Sequence, residues 1–132
     1  MILFRLDAKS GLPPYLQLVQ QVSDAVRMGL LKVGDQLPTV KEVVGTVTIN
    51  PNTVLKAYRE LEHAGIVEGR PGVGTFVKQR PQGPPVAANV NLVRALGRWV
   101  AKARAAGLDG PSIESLMRSA LQAGQDSGVG AA

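Results

Sequence analysis

Between Pro14 and Met28 the residues Tyr15, Leu18, Val22, Ala25 and Val26 recur at i, i+3, i+7, i+10 and i+11, and Gln17, Gln20, Gln21, Asp24 and Arg27 fill the other side. This is one face of a 3.6-residue repeat and predicts an amphipathic helix that Gly29 closes. Ahead of it, Ile2 to Asp7 reads as a short strand or extended arm, and Gly11, Pro13 and Pro14 form a turn. After a connector turned by Gly34-Asp35, Thr39-Val40-Lys41-Glu42 fits a capping box and starts a short second helix, with Val40, Val43 and Val44 as its inward residues. Asn50 and Pro51 then suit the N-cap and first position of a third helix, whose core face is Val54, Ala57, Tyr58 and Leu61. Two short strands follow, Ile66 to Glu68 and Thr75 to Lys78, around a tip of Arg70, Pro71, Gly72, Val73 and Gly74.

Residues 80–91 carry three prolines and no period, so the chain is expected to divide there. Two more helices are predicted, over about 89–106 with Val93, Leu96, Val100 and Ala103 in phase, and over about 112–123 with Ile113, Leu116, Met117, Ala120 and Leu121 in phase. The expected organisation is a first domain at 1–79, a linker at 80–88, a two-helix segment at 89–125 and a flexible tail at 126–132.

Composition narrows the chemistry. The 132 residues contain no cysteine and one histidine, His63, which removes disulfides, thiolate nucleophiles, the usual zinc clusters and any two-histidine metal site. There is no nucleophile, base and orienting-group set and no phosphate loop, so no enzyme, cofactor or metal is expected. No apolar run reaches the length of a membrane span, and the N-terminus lacks the pattern of a secretory signal, so a cytoplasmic location is expected. The net charge of +5 and a pI near 10.0 lean toward an anionic partner.

Three helices with a tight second-to-third turn, followed by a two-stranded hairpin, give a mainly α fold with a small β-wing, a winged helix-turn-helix domain. In that frame the third helix points its N-terminal residues at the DNA major groove. Asn50, Asn52 and Thr53 at its start suit close approach to a base edge or phosphate, although taken alone these residue types read first as a plain helix cap. Asn52, Lys56, Arg59 and His63 share one side of the helix, while His63 near its end reads as exposed compensation of the helix dipole. Glu60, Glu62 and Glu68 read as solvated surface, Glu60 being spaced to pair with Lys56. Arg70 on the wing is placed to meet phosphates, or the tip is simply a hairpin turn.

The stretches "GDQLPTVKEVV" (34–44), "INPNTVLKAYRELEHAGIVEG" (49–69) and "GVGTFV" (72–77) resemble the DNA-binding domain of the GntR family of bacterial transcription regulators, and "NPNTVLKAYRELE" resembles its YtrA-type branch. The resemblance runs from about Leu12 to Val77. It implies a homodimeric repressor that binds double-stranded operator DNA with an inverted repeat, and a C-terminal part of two helices used for dimerisation. Such regulators commonly sit beside genes of ABC transporters; the resemblance does not name a small-molecule effector. Carried onto this chain, it implies that Thr39 caps and touches phosphate, Lys41 reaches DNA from the second helix, Asn50, Asn52, Thr53 and Lys56 face the major groove, and Gly72 and Gly74 shape the wing. Two positions depart from the family pattern. Lys41 stands where Arg is usual and cannot make a planar two-pronged contact to guanine, and Thr48 replaces a turn glycine that tolerates positive φ.

The last two helices each carry an apolar stripe too wide for water and too short to enclose a core alone, so they must pack on each other, on the winged domain or on a second chain. A short dimerisation segment through Leu96, Trp99, Val100, Leu116, Met117 and Ala120 is expected, with Trp99 an interface anchor or plain core. A rival reading uses the third helix or wing against a protein instead of DNA, as an interaction module without sequence-specific DNA binding.

Overall fold

A computed structural model describes residues 2–80 and 89–131, with side chains through Gly124. The linker expected at 80–88 lies, beyond Arg80, outside the described residues. The chain divides into two compact units, Met1–Ala88 and Asn89–Ala132.

In the first unit α1 (Pro14–Met28), α2 (Val40–Thr46) and α3 (Pro51–His63) precede a hairpin of β1 (Val67–Arg70) and β2 (Gly74–Val77). The expected apolar stripes become the core: Leu18, Val22 and Val26 of α1 meet Val43 of α2 and Val54, Ala57 and Leu61 of α3, all within one buried cluster. Burying a Val or Leu side chain contributes about 1.5–3 kcal/mol, so this cluster is what holds the short helices. Gly29 ends α1 in the left-handed conformation (φ 81°), with its N–H on the Val26 carbonyl. Val44 is a correction. It is exposed rather than inward, because a helix of seven residues turns only one position, Val43, fully into the core.

The turn between α2 and α3 needs no glycine. Val47 leaves α2 extended (φ −132°, ψ 150°), and no described non-glycine residue has positive φ, so Thr48 is unstrained. The strands are antiparallel, with Val67 opposite Val77 and Arg70 opposite Gly74, so each expected strand shifts by about one residue toward the tip. The connector is also more than a turn. Gly34 N–H donates to Val77 C=O, Val77 N–H to Asp35 C=O and Leu37 N–H to Thr75 C=O, each at 2.8 Å, which makes β2 the middle of three extended segments.

The arm at residues 2–7 forms no strand ladder; helix side chains take that role. Arg5 N–H donates to Gln21 Oε1 at 2.9 Å and Gln21 Nε2 donates to Arg5 C=O. Asp7 N–H donates to Gln17 Oε1 at 2.8 Å and Gln17 Nε2 donates to Asp7 C=O at 2.9 Å. Four residues of helix rise about 6.0 Å and two of extended chain about 6.6 Å, so the two spacings match. Alternation then turns Phe4 into the core, and Gln17, expected on the polar face, is buried.

The second unit holds α4 (Val90–Ala105) and α5 (Gly110–Ala131). Asp109 caps α5 ahead of the start expected near 112: its Oδ1 accepts from Ser112 N–H at 2.9 Å, and hydrogen bonding first from the Ser112 side chain and then from its N–H holds the carboxyl below its ordinary value. The backbone of α5 runs past the expected end near 123 into the stretch expected to be a flexible tail. Gly124, Gly128 and Gly130 are single glycines, which cost about 1 kcal/mol each without removing a helical hydrogen bond, and no proline follows. Ala103 and Ile113 are buried where the helices join, and Leu96, Trp99, Leu116 and Leu121 remain exposed.

Candidate nucleic-acid interface

The face of α3 opposite its core is built by the same repeat that buries the other side. Asn52, Lys56, Arg59 and His63 fall within about 60° of one another around the helix, and all four are exposed. Thr53 is half-buried on the flank. Asn50 caps the helix by accepting from Asn52 N–H at 2.8 Å, so its side-chain oxygen is engaged, while its amide nitrogen has no partner among the described residues. The cap reading and the DNA reading of Asn50 therefore use different atoms of one side chain.

The neighbouring elements are locked to this helix. Tyr58 O–H donates to the Pro38 carbonyl at 2.6 Å inside the core, which ties α3 to the chain two residues before α2. Burial, and after it the Glu42 carboxylate, push the phenol above its ordinary range. At the start of α2 the capping box is complete: the Thr39 hydroxyl accepts from Glu42 N–H at 3.1 Å and Glu42 Oε1 accepts from Thr39 N–H at 3.3 Å, the hydroxyl also donating to Glu42 Oε1 at 3.1 Å. That hydroxyl is engaged in both directions. Lys41 is exposed on the first turn of α2, one residue from Val40 and clear of the core.

Two cations rest on aromatic rings. Lys56 Nζ lies 4.0 Å from the centre of the Tyr15 ring, and not on Glu60 as its spacing allows. Arg70 stacks 4.3 Å over Phe76 and pairs with Glu68 at 2.9 Å. An exposed cation–π contact or ion pair contributes no more than about 1 kcal/mol, so these contacts orient the cations without removing them from use by a phosphate.

The wing is braced from both sides. Glu62 of α3 accepts from Gly69 N–H at 3.1 Å, and Gln36 donates to Val73 C=O at 3.3 Å. Gly72 has φ +75°, which L-residues avoid, and a Cβ at Gly74 would collide with the Gln36 amide. Between α3, the start of α2 and the wing lies a cleft of about 310 Å³ lined by residues that include Thr39, Leu55, Arg59, Glu62 and Thr75.

The sequence-predicted residues thus gather on one unit, with Asn50, Asn52, Lys56 and Arg59 on one helix, Thr39 and Lys41 at the start of α2, and Arg70 and Gly72 on the wing. Glu62 and Glu68 are not plain solvated carboxylates, since each has a partner that fixes the wing or its arginine. Sequence reasoning missed Leu55, an exposed leucine beside this face, and the supporting roles of Tyr15, Gln36 and Glu62. Leu55 carried a signal, being apolar and off the core phase; the others depend on contacts distant in sequence. The predicted dimerisation residues lie in the second unit, where Leu96, Trp99, Leu116 and Ala120 are exposed and Val100 and Met117 half-buried. Leu96, Trp99, Leu116, Met117 and Ala120 line one apolar groove. Among the described residues no group of three or more His, Cys, Asp and Glu could hold a metal ion, and no helix is long and apolar enough to cross a membrane.

A capped helix with an exposed polar and basic face, tied to a second helix and flanked by a braced hairpin, defines a winged helix-turn-helix protein. Residues 14–77 match the bacterial regulatory proteins of the GntR family. The chain is 36% identical over 92 residues to the helix-turn-helix transcriptional repressor YtrA of Bacillus subtilis, covering 70% of this chain and 71% of that one. It is 46% identical over 98 residues to a helix-turn-helix transcriptional regulator of Mycobacterium tuberculosis, covering 70% of this chain and 81% of the relative. A solved structure described as a transcriptional antiterminator from Listeria monocytogenes superposes with a TM-score of 0.59 at 28% identity, over 89% of both chains. The chain belongs to the GntR family, a family of transcription regulators rather than enzymes.

Proposed function

We propose that this regulator is a cytoplasmic, dimeric repressor that acts by occupying a double-stranded DNA operator with an inverted repeat. The observation that carries the reading is the α3 face: Asn52, Lys56 and Arg59 exposed together at the capped end and middle of a helix whose opposite side is core. In this reading Asn52 and the amide of Asn50 meet base edges, with Thr53 and Leu55 beside them. Lys41, Lys56, Arg59 and Arg70 neutralise phosphates, Thr39 shapes the α2 terminus that approaches the backbone, and Gly72 lets the wing turn. Two copies join through the exposed apolar groove of Leu96, Trp99, Leu116, Met117 and Ala120, with Val100 at its edge, which gives the two-fold axis an inverted repeat requires.

The test is selection of duplexes from a random pool by the full chain at about 150 mM salt, where purely electrostatic binding is weakened. An enriched inverted repeat is expected. Retained DNA with no enriched sequence, or no retained DNA, overturns the reading. Sedimentation of the full chain is expected to show a dimer that Trp99→Asp converts to a monomer.

A further inference from the structure

The outward face of α4 is basic along its length. Arg94, Arg98 and Lys102 stand at i, i+4 and i+8, all exposed, and the 16 residues of α4 include no Asp or Glu. Their directions cluster within about 80° around the helix, centred roughly opposite the direction of Leu96, Trp99, Val100 and Ala103. The face left outward after the apolar side is covered is therefore a single-sign stripe. Like charges at i, i+4 destabilise a helix by a few tenths of a kcal/mol, about 0.2–0.5 per pair, so the arrangement opposes helix formation. Among the described residues no carboxylate lies within ion-pair distance of the stripe.

We propose that this stripe binds the phosphate backbone of DNA flanking the operator, adding sequence-independent contacts to those of the winged unit. The proposal rests on the DNA-binding reading above. Charge complementarity selects the partner: the three cations span about 12 Å of helix, and a DNA strand presents a phosphate about every 3.4 Å of rise, so a duplex offers several acceptors over that length. Guanidinium groups at two of the three positions suit phosphate oxygens. Reach is no obstacle, since the 12 residues between Val77 and Val90 allow up to about 45 Å from the base of the wing to the start of α4.

The experiment compares the full chain with an Arg94→Gln/Arg98→Gln/Lys102→Gln variant, and with an Arg94→Lys/Arg98→Lys variant that keeps the charge. Each is measured on three duplexes across a salt series: the selected operator alone, the same operator with about 15 base pairs added at each end, and a random duplex of that longer length. On the longer duplexes the glutamine variant is expected to lose about 0.9 of salt slope for each contact removed, with no change on the bare operator and with the lysine variant like the original. Equal slopes for all three proteins on the longer duplexes would overturn the proposal. So would an equal loss on the bare operator, which would indicate a general charge effect. If the original chain binds the random duplex as tightly as the operator, sequence-specific repression fails, and the random-duplex comparison still decides the stripe.

Discussion

Tyr58→Phe removes one hydrogen-bond donor from the core and has an effect whose size changes with pH. The hydroxyl donates to the Pro38 carbonyl at 2.6 Å, and the tyrosine is 8% exposed. At pH 7 the variant leaves that buried carbonyl without its partner, a loss of about 1–3 kcal/mol. Above pH 10 the sign of the proton linkage reverses part of the advantage. The folded phenol is held above its ordinary value of 10.0 by burial and by Glu42, so it keeps a proton that the unfolded chain releases. The unfolded state then binds fewer protons, and stability falls as pH rises. At pH 11 the unfolded chain gains about RT ln 11, or about 1.4 kcal/mol, from ionising this one tyrosine. The gap between original and variant is therefore expected to narrow by about that amount between pH 8 and pH 11. Urea unfolding of both proteins at several pH values measures it, and effects of Tyr15 and the lysines cancel in the difference. A gap that stays constant or widens would show that the folded hydroxyl is not held protonated in the core.

Gln17→Leu is expected to cost about 2–4 kcal/mol in urea unfolding, because it removes the partners of Asp7 on both sides and the donor to Ser10 and Leu12; a cost below about 1 kcal/mol would mean the arm finds other partners. Glu62→Ala removes a negative charge beside α3, which by electrostatics alone strengthens DNA binding, and with it the acceptor that holds the wing. Since Glu62 holds Gly69 N–H, the variant is instead expected to bind several-fold more weakly in a titration by fluorescence anisotropy, and tighter binding would remove it as a brace of the wing. Lys56→Ala is expected to weaken binding to all duplexes and to lower the salt slope by about 0.9 for each half-site. Asn52→Ala should chiefly relax base preference in a repeated selection, and equal loss on every sequence would end its reading role.

Much of the first unit was legible because its signals are local. The capping box at Thr39, the Asn50-Pro51 start and the core face of α3 all appear as written, since each depends on residues within one or two turns. Gln17 was misplaced because its environment is made by residues 7, 10 and 12, which periodicity does not see. Glu62 escaped for the same reason, since its partner Gly69 depends on where the wing folds back, whereas Glu68 pairs with Arg70 two residues along the same strand. The strand ends moved because Gly69 and Arg70 have weak strand propensity and are recruited by cross-strand pairing with Thr75 and Gly74. The α5 start lies two residues ahead of the expected 112 because Asp109 accepts from Ser112 N–H and so caps the helix earlier than the apolar period shows.

The match between the glutamine spacing of α1 and the pleat of the arm has a consequence for how this sequence can drift. A ladder with period two on one side and four on the other tolerates no slip: losing one residue between Phe4 and Asp7 would leave the arm's two amide clamps in place only by pointing Phe4 at water. The loop around Lys9 and Gly11 meets the same helix only where Gln17 Nε2 reaches Ser10 Oγ and the Leu12 carbonyl, and a length change there leaves the two clamps on Arg5 and the Asp7 N–H intact. Insertions and deletions among related chains are thus expected to collect after Asp7 and to spare the four residues before it.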